Sequence, residues 1–262
     1  MENNPNKTPE SEKAFDPAQQ SMSLLDHIRA LRHALIVCAI VVVIAVLGIF
    51  EFASDRLMSL ITEPIRRKGV EIIYTAISEA FLTKFKVSLM AAVVLSSPVL
   101  IWQVWAFIRP ALYQNERRVL VRLFVSSLAL FLLGVSFCYT SVYFLAVDFF
   151  MVSGENLATP MLSVDKYVGF LFGFIFPFGV AFMLPVFLYV TTRAGLTTPQ
   201  GLRAKRKYII LAIFFLAAVL TPPDVVSQVM LGVPMLILYE VGILVSSLAL
   251  RRAHPGETNA AA

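Results

Sequence analysis

Residues 34–50 read ALIVCAIVVVIAVLGIF, a run with no charged side chain. An α-helix rises about 1.5 Å per residue and needs about 20 apolar residues to cross the hydrocarbon of a bilayer. This run is therefore close to the length of a transmembrane helix. The whole chain agrees, since 58% of its 262 residues are hydrophobic and 15% are charged. That composition excludes an ordinary globular domain and indicates an integral membrane protein.

Five further apolar stretches follow, at residues 87–108, 119–147, 167–192, 208–220 and 229–250. Residues 208–220 are too few to cross the hydrocarbon unless the bilayer is thinner there or neighbouring helices shield them. We predict an all-α integral membrane protein with six transmembrane helices. The more polar segment between the first two spans predicts a cap outside the membrane.

The basic residues predict the orientation of the spans. Of the 22 Lys and Arg residues, 15 lie in the N-terminal segment, the loops after the second and fourth spans, and the C-terminus. The positive-inside rule then places both termini in the cytoplasm and the cap in the periplasm. We predict a disordered cytoplasmic tail at 1–22, the membrane domain at 23–252, and a second disordered tail at 253–262.

The segment just before the first span has an amphipathic pattern. Apolar residues recur at helical spacing from Leu24 to Leu35, while Asp26 and Arg32 fall on other faces. The pattern predicts a short helix lying in the cytoplasmic interface. It is equally consistent with a membrane anchor and with a docking surface.

The chain lacks the motifs of nucleotide hydrolysis, of zinc proteases and of serine hydrolases, and it has no carboxylate pair at acid–base spacing. We therefore expect no enzymatic activity, no cofactor and no metal. The basic residues flank apolar runs and form no stripe, so they indicate topology and anionic lipid headgroups rather than nucleic acid.

The loop after the second span, residues 107–118, reads FIRPALYQNERR. Pro110 is expected to end the helix, and Glu116 is an isolated acid among cations. Taken alone, an acid next to Arg117 is typical of a solvated ion pair.

Together with TPPDVVSQ at residues 221–228, this loop resembles the TatC family of the twin-arginine protein translocase. The similarity runs from about residue 23 to residue 252. It also includes the His27-x-x-x-Leu31-Arg32 start, Ser97-Pro98, the run Gln103–Phe107, Phe178-Gly179 and Pro185.

The resemblance implies a receptor for folded precursor proteins with an Arg-Arg signal peptide, exported across the bacterial cytoplasmic membrane by the proton-motive force. Glu116 matches the loop acid of the family, and a carboxylate can accept two parallel N–H bonds from a guanidinium. The other implied signal-binding residues are Arg32, Phe107, Pro110, Arg117 and Arg118.

The resemblance also implies partners. These are small single-span subunits of the TatA and TatB type, twin-arginine precursors and membrane lipid. The chain is expected to form homo-oligomers within a hetero-oligomeric complex. Pro64 and Asp224 match family positions in the cap and in the turn after the fifth span.

The chain departs from the family at two acids. Ala30 stands where the family usually has Glu on the N-terminal helix, and we predict that Asp26, one turn earlier, substitutes for it. Met183 stands where the family commonly has an acid in the fourth span. We predict that Thr221 and Gln228 offer hydrogen bonds to the partner there instead.

Two alternative functions and the role of one residue stay open. Ala30 and Met183 are consistent with a diverged relative whose signal or partner recognition has changed. A small-solute secondary transporter would use Glu240 and Gln103, although the internal repeat typical of that class is missing. Glu240, near the middle of the sixth span, is either a functional or assembly residue or a structural group with an internal partner.

Overall fold

The computed structural model describes residues 24–112, 117–154, 161–221 and 224–253. These residues are almost entirely helical. The helices are α1 Leu24–Phe52, α2 Ser54–Arg66, α3 Glu79–Leu112, α4 Arg117–Phe137, α5 Tyr143–Gly154, α6 Val164–Phe182, α7 Leu184–Arg193, α8 Pro199–Ala204, α9 Arg206–Leu220 and α10 Val225–Ala253. The predicted tail 1–22 lies outside the described residues, as does the second tail beyond Ala253.

Five long helical segments are apolar enough to cross a membrane: α1, α3, α4 with α5, α6 with α7, and α10. The prediction of a helical protein with several membrane spans is confirmed. The remaining predicted span corresponds to α9, whose 15 residues extend over roughly 22 Å. Its crossing of the membrane stays a prediction.

The prediction of a separate short helix before the first span is wrong. Helix α1 is continuous from Leu24 to Phe52. The reason is that residues 24–47 contain neither Pro nor Gly, so nothing interrupts the backbone hydrogen bonds between the amphipathic segment and the apolar run. The placement of its first turns in the membrane interface stays a prediction.

Two three-residue strands are an exception to the all-α prediction. Strand β1, Glu71–Ile73, pairs in parallel with β2, Met161–Ser163, with Glu71 opposite Met161 and Ile73 opposite Ser163. Strand β1 precedes α3 and β2 precedes α6, so the pairing joins two connections at the same end of the molecule. Backbone groups in these connections thereby find partners.

Two of the long segments change their helical geometry along their length. A π-helical turn at Cys138–Val142 joins α4 to α5. Met183 separates α6 from α7. Pro185 follows this break, because its ring has no N–H to donate and would clash with the preceding turn of a continuous helix.

The helices pack against one another around two apolar clusters. Helix α1 lies against α3, α4 against α6, and α7 and α9 against α10. The larger cluster includes Val87, Leu171, Phe174 and Ile243. The smaller cluster joins the C-terminal half of α3, the start of α4 and α7, and it contains Trp105.

Glycines set the close approach of α4 to α6. A Cβ atom on Gly134 would lie 2.7 Å from the carbonyl oxygen of Phe178, and one on Gly179 would lie 2.6 Å from the ring of Phe131. No side chain fits at these distances, so the two helices are as close as their backbones permit. Small residues have this role in many membrane helix pairs.

Candidate functional site

The predicted signal-binding residues belong to one end of the molecule, which we call the loop end. It is formed by the start of α1, the end of α3 and the start of α4. Because Phe50 of α1 contacts Phe81 of α3 with ring centroids 5.6 Å apart, these antiparallel helices place the start of α1 beside the C-terminal half of α3.

The structure describes three of these side chains. Arg32 on α1 and Arg118 on α4 are exposed, and Phe107 on α3 is half-buried. Pro110, Arg117 and Asp26 lie within helices α3, α4 and α1, but their side chains lie outside the described residues. Glu116, in the connection 113–116, also lies outside them.

The two helices that carry this connection are held together below it. The indole Nε1 of Trp105 donates a hydrogen bond of 3.0 Å to Oγ of Ser127, and this bond is buried. Trp105 also packs with Val119 and Val190 in the smaller apolar cluster. The connection between α3 and α4 therefore starts and ends on a fixed frame.

A cavity of about 450 Å³ opens beside this frame between α4, α7 and α10. Apolar side chains line most of it, and Arg122 and Arg193 lie among them. Nη1 of Arg193 donates to the Tyr189 hydroxyl at 2.9 Å. Like charges repel, so these cations disfavour the binding of two further guanidinium groups. A carboxylate is therefore required nearby if this end is to bind an Arg-Arg peptide.

The opposite end contains both strands, and we call it the strand end. Its central group is Glu79, the first residue of α3 and 7% exposed. Its Oε2 accepts hydrogen bonds from the backbone N–H and the hydroxyl of Thr75 at 2.5 and 2.8 Å, and from the Ala76 N–H at 3.2 Å. Its Oε1 accepts from the Ser163 hydroxyl at 2.5 Å and the Asp165 N–H at 3.1 Å.

These bonds change the acidity of Glu79, which precedes the apolar stretch 87–108. The Ser163 hydroxyl contributes most and the Thr75 N–H next, and together with the smaller contributions they lower the pKa of Glu79 to about 2. Burial opposes the shift, but five donors to one carboxylate outweigh it. The ionised Glu79 carboxylate therefore links the start of α3 to the start of α6 through hydrogen bonds. Sequence analysis missed it, although an acid in the first turn of a helix is a recognised capping signal.

Ion pairs add to this end. Lys86 Nζ lies 2.5 Å from Asp165 Oδ1, Lys84 pairs with Asp55, and Lys68 pairs with Asp148. Three of the cations that the sequence assigned to this face therefore have acidic partners.

The predicted cap and turn residues have structural contacts here. Pro64 is half-buried in the last turn of α2. Asp224 Oδ1 accepts the Ser227 N–H at 2.6 Å, which makes Asp224 the N-cap of α10. The buried hydroxyl of Thr221 donates to the Ala217 carbonyl at 2.8 Å. The amide Nε2 of Gln228 donates to the Phe214 carbonyl at 2.8 Å.

The two remaining predicted residues differ in burial, since Met183 is half-buried and Glu240 is exposed. Met183, at the break between α6 and α7, packs on the smaller apolar cluster. Glu240 of α10 forms an ion pair with Arg206, with Oε2 and Nη2 2.6 Å apart. Arg206 is the first residue of the short α9. This pairing gives Glu240 the internal partner that its structural interpretation requires, and the sequence pattern did not reveal it.

These features define a class: a predominantly helical membrane protein with several spans. Among the described residues, no group of three or more His, Cys, Asp or Glu side chains is placed to hold a metal ion. The model of one protein family, described as Sec-independent protein translocase protein (TatC), matches residues 26–234. The chain belongs to the TatC family.

Known relatives agree along most of the chain. It is 39% identical over 235 residues to the TatC protein of Aquifex aeolicus, covering 88% of this chain and 97% of that protein. It is 36% identical over 231 residues to TatC of Escherichia coli K12, covering 87% and 89%.

The fold agrees with a solved structure as well. The crystal structure titled twin arginine translocase receptor TatC superposes with a TM-score of 0.80 at 38% identity, covering 86% of this chain and 100% of the other. The resemblance read from the loop and turn motifs is thereby confirmed.

Proposed function

We propose that this protein is the receptor subunit of a twin-arginine protein translocase. It binds Arg-Arg signal peptides and takes part in exporting folded precursors across the bacterial cytoplasmic membrane, driven by the proton-motive force. The observation that carries this proposal is the agreement of sequence and fold with a twin-arginine translocase receptor over 86% of the chain.

The loop end is the proposed signal-binding surface. Glu116 accepts parallel N–H bonds from a guanidinium of the signal, a geometry that Lys cannot reproduce. The exposed cations Arg32 and Arg118 repel a cationic peptide that is not seated on a carboxylate. Selectivity thus comes from an attractive carboxylate at a defined position in repulsive surroundings.

Asp26 is proposed as the second carboxylate. Ala30 removes the acid usual in the family, and Asp26 lies four residues earlier on the same helix, α1. Residues at this spacing share a helical face. A guanidinium bound to Asp26 would lie about one helical turn closer to the start of α1 than one bound to an acid at position 30.

The test is export of a folded reporter behind an Arg-Arg signal, in a bacterial strain that lacks its own TatC. Glu116→Gln should reduce export at least about tenfold, because the lost charge-assisted bond contributes more than about 1.5 kcal/mol. Asp26→Asn should reduce it by a smaller factor, and Ala30→Glu added to Asp26→Asn should restore it. Glu63→Gln is the matched control, since this exposed acid pairs with Arg67 at the strand end.

The same experiment distinguishes the proposed receptor from a diverged relative with altered signal recognition. A diverged relative that no longer reads twin-arginine signals would give no export in this strain and no crosslink between its loop end and an Arg-Arg peptide. If Asp26→Asn exports the reporter as well as the wild type does, Asp26 is not part of the binding site. The proposed receptor function would not be affected by that result.

Partner binding is proposed at the turn between α9 and α10. The partners are small single-span subunits of the TatA and TatB type. Thr221 is buried and its hydroxyl is bonded to the Ala217 carbonyl, whereas Gln228 is half-buried and uses its amide nitrogen for the bond to Phe214, which leaves its amide oxygen as an acceptor. Gln228 is therefore the better donor–acceptor contact for a polar partner residue. Co-purification of the small subunit that persists undiminished in a Gln228→Leu variant would contradict this contact.

The topology belongs to the same proposal. We place the loop end and both termini in the cytoplasm, where a precursor arrives, and the strand end in the periplasm, with α9 as the sixth span. Oligomers are proposed because six helices have too small a perimeter to surround a folded protein. Cysteine labelling from each side of the membrane, at Arg118 and at Lys68, tests the orientation.

A further inference from the structure

A third surface lies on α8 and α10, beside Glu240. A slot of about 500 Å³ is bounded by α8 and α10. Apolar side chains of α10 line most of it: Leu236, Ile237, Val241, Ile243 and Leu244. Ile237, Val241 and Leu244 are exposed, so the slot is open along its apolar side.

Charged side chains line one part of the slot, which we call its mouth. Arg203 and Glu240 line it, and Arg206 is paired with Glu240. Within the described part of the chain no carboxylate pairs with Arg203, and Lys205 and Lys207 beside it are exposed. Two guanidinium groups against one carboxylate leave the mouth of the slot with a net positive charge.

The frame that carries these cations is fixed. The buried hydroxyl of Tyr239 donates to the Leu202 carbonyl at 2.8 Å, which ties α8 to α10. Arg203 directly follows Leu202 in this tied helix. The cation is therefore presented at the mouth of the slot by the backbone of α8 rather than by a free loop.

We propose that this slot binds one anionic phospholipid, with its phosphate on Arg203 and Arg206 and an acyl chain along the exposed apolar side chains of α10. Guanidinium groups match the geometry of phosphate oxygens, and basic pockets between membrane helices bind anionic headgroups. A soluble anion would contact the cations and leave the apolar wall uncovered. A lipid with a zwitterionic headgroup lacks the net charge that the mouth selects.

Glu240 has a distinct part in this arrangement. It holds Arg206 at 2.6 Å and so competes with the phosphate for the same guanidinium. Neutralising the acid therefore strengthens lipid binding, while neutralising Arg203 weakens it. If the ion pair had only a structural role, neutralising Glu240 and neutralising Arg203 would not change lipid affinity in opposite directions.

The test is native mass spectrometry of the full-length protein in a neutral detergent, titrated with phosphatidylglycerol or with phosphatidylcholine of the same acyl chains. The wild type should bind phosphatidylglycerol more tightly. Arg203→Gln should weaken that binding about tenfold, and Glu240→Gln should strengthen it several-fold. Arg206→Gln added to Glu240→Gln should remove the gain. Arg67→Gln, which removes an exposed Arg at the strand end, is the control and should change nothing.

Equal binding of the two lipids by the wild type would overturn the proposal, and so would weaker binding of phosphatidylglycerol by Glu240→Gln. Competition by glycerol phosphate at the affinity of the whole lipid would also overturn it, because the apolar wall would then contribute nothing. Melting of each variant in phosphatidylcholine checks its folding. If Arg203→Gln melts early, Arg203→Lys replaces it and should bind with intermediate affinity.

Discussion

The two ends of this molecule differ in the contacts that several of their charged residues make. At the strand end, Glu79 accepts five hydrogen bonds, and Lys68, Lys84 and Lys86 each pair with an aspartate. At the loop end, Arg32 and Arg118 are exposed. Charges in ion pairs and hydrogen bonds link parts of the structure, whereas exposed cations can contact a ligand. The described contacts thus fasten the strand end, and they leave Arg32 and Arg118 of the proposed signal-binding surface exposed.

The strongest test of this difference is Glu79→Gln. The amide replaces one acceptor oxygen by a donor that faces other donors, so the connection between α3 and α6 loses much of its fastening. We expect a several-fold fall in the amount of folded protein in the membrane, measured by immunoblot and by the melting midpoint in detergent. Glu63→Gln is the control at the same end and should melt like the wild type.

A pH titration sharpens the same point without a mutation. The pKa of Glu79 is lowered from 4.5 to about 2, so its contribution to stability is fully present above pH 4.5. It is lost progressively as the pH falls toward 2. We expect the melting midpoint of the wild type to fall over this window more steeply than that of Glu79→Gln. Parallel curves for the two proteins would show that Glu79 is not the titrating group.

A smaller effect is expected at Tyr167, whose buried hydroxyl donates to the Ile61 carbonyl at 2.7 Å and so ties α6 to α2. Tyr167→Phe should cost about 1 kcal/mol, or about 2–4 °C in melting midpoint for a chain of this size. Tyr139→Phe is the matched control, because its exposed bond to the Leu60 carbonyl is 3.3 Å long. An equal loss in both variants would mean that burial does not distinguish the two bonds.

The smallest expected effects compare single cations at the two ends. Lys86→Gln should destabilise the protein by less than about 1 kcal/mol, since the pair with Asp165 is partly exposed. Arg118→Gln should stay within about 0.5 kcal/mol of the wild type. The melting midpoints of the two variants in detergent give the comparison. A greater loss at Arg118 than at Lys86 would break the proposed difference between the ends.

Much of the fold was predictable because bilayer crossing depends on local composition. Each predicted apolar stretch falls within described helical segments, and residues 208–220 match α9, Arg206–Leu220, closely. The continuity of α1 was missed, since the amphipathic pattern was interpreted as an element of its own. The strands were missed because three residues are too few to show an alternating pattern.

The candidate site was predictable to a different degree. The motifs at 107–118 and 221–228 identified the family, yet they gave no contacts. Glu240 was recognised as an unusual acid, but its pairing with Arg206 depends on how far the short α9 reaches along α10. Likewise, two of the donors to Glu79, the Ser163 hydroxyl and the Asp165 N–H, come from a segment more than 80 residues away. Neither pairing leaves a signal in the local sequence.

The parallel pairing of β1 with β2 has a consequence for the order in which the protein is made. Strand β1 and Glu79 are synthesised long before β2, Ser163 and the first turn of α6. Until those later residues emerge from the ribosome and reach the same end, the carboxylate has only the donors of Thr75 and Ala76. The strand end therefore closes as a late event in biogenesis, after α3, α4 and α5 have been synthesised. A chain stalled before residue 161 would present this end open to quality-control proteases.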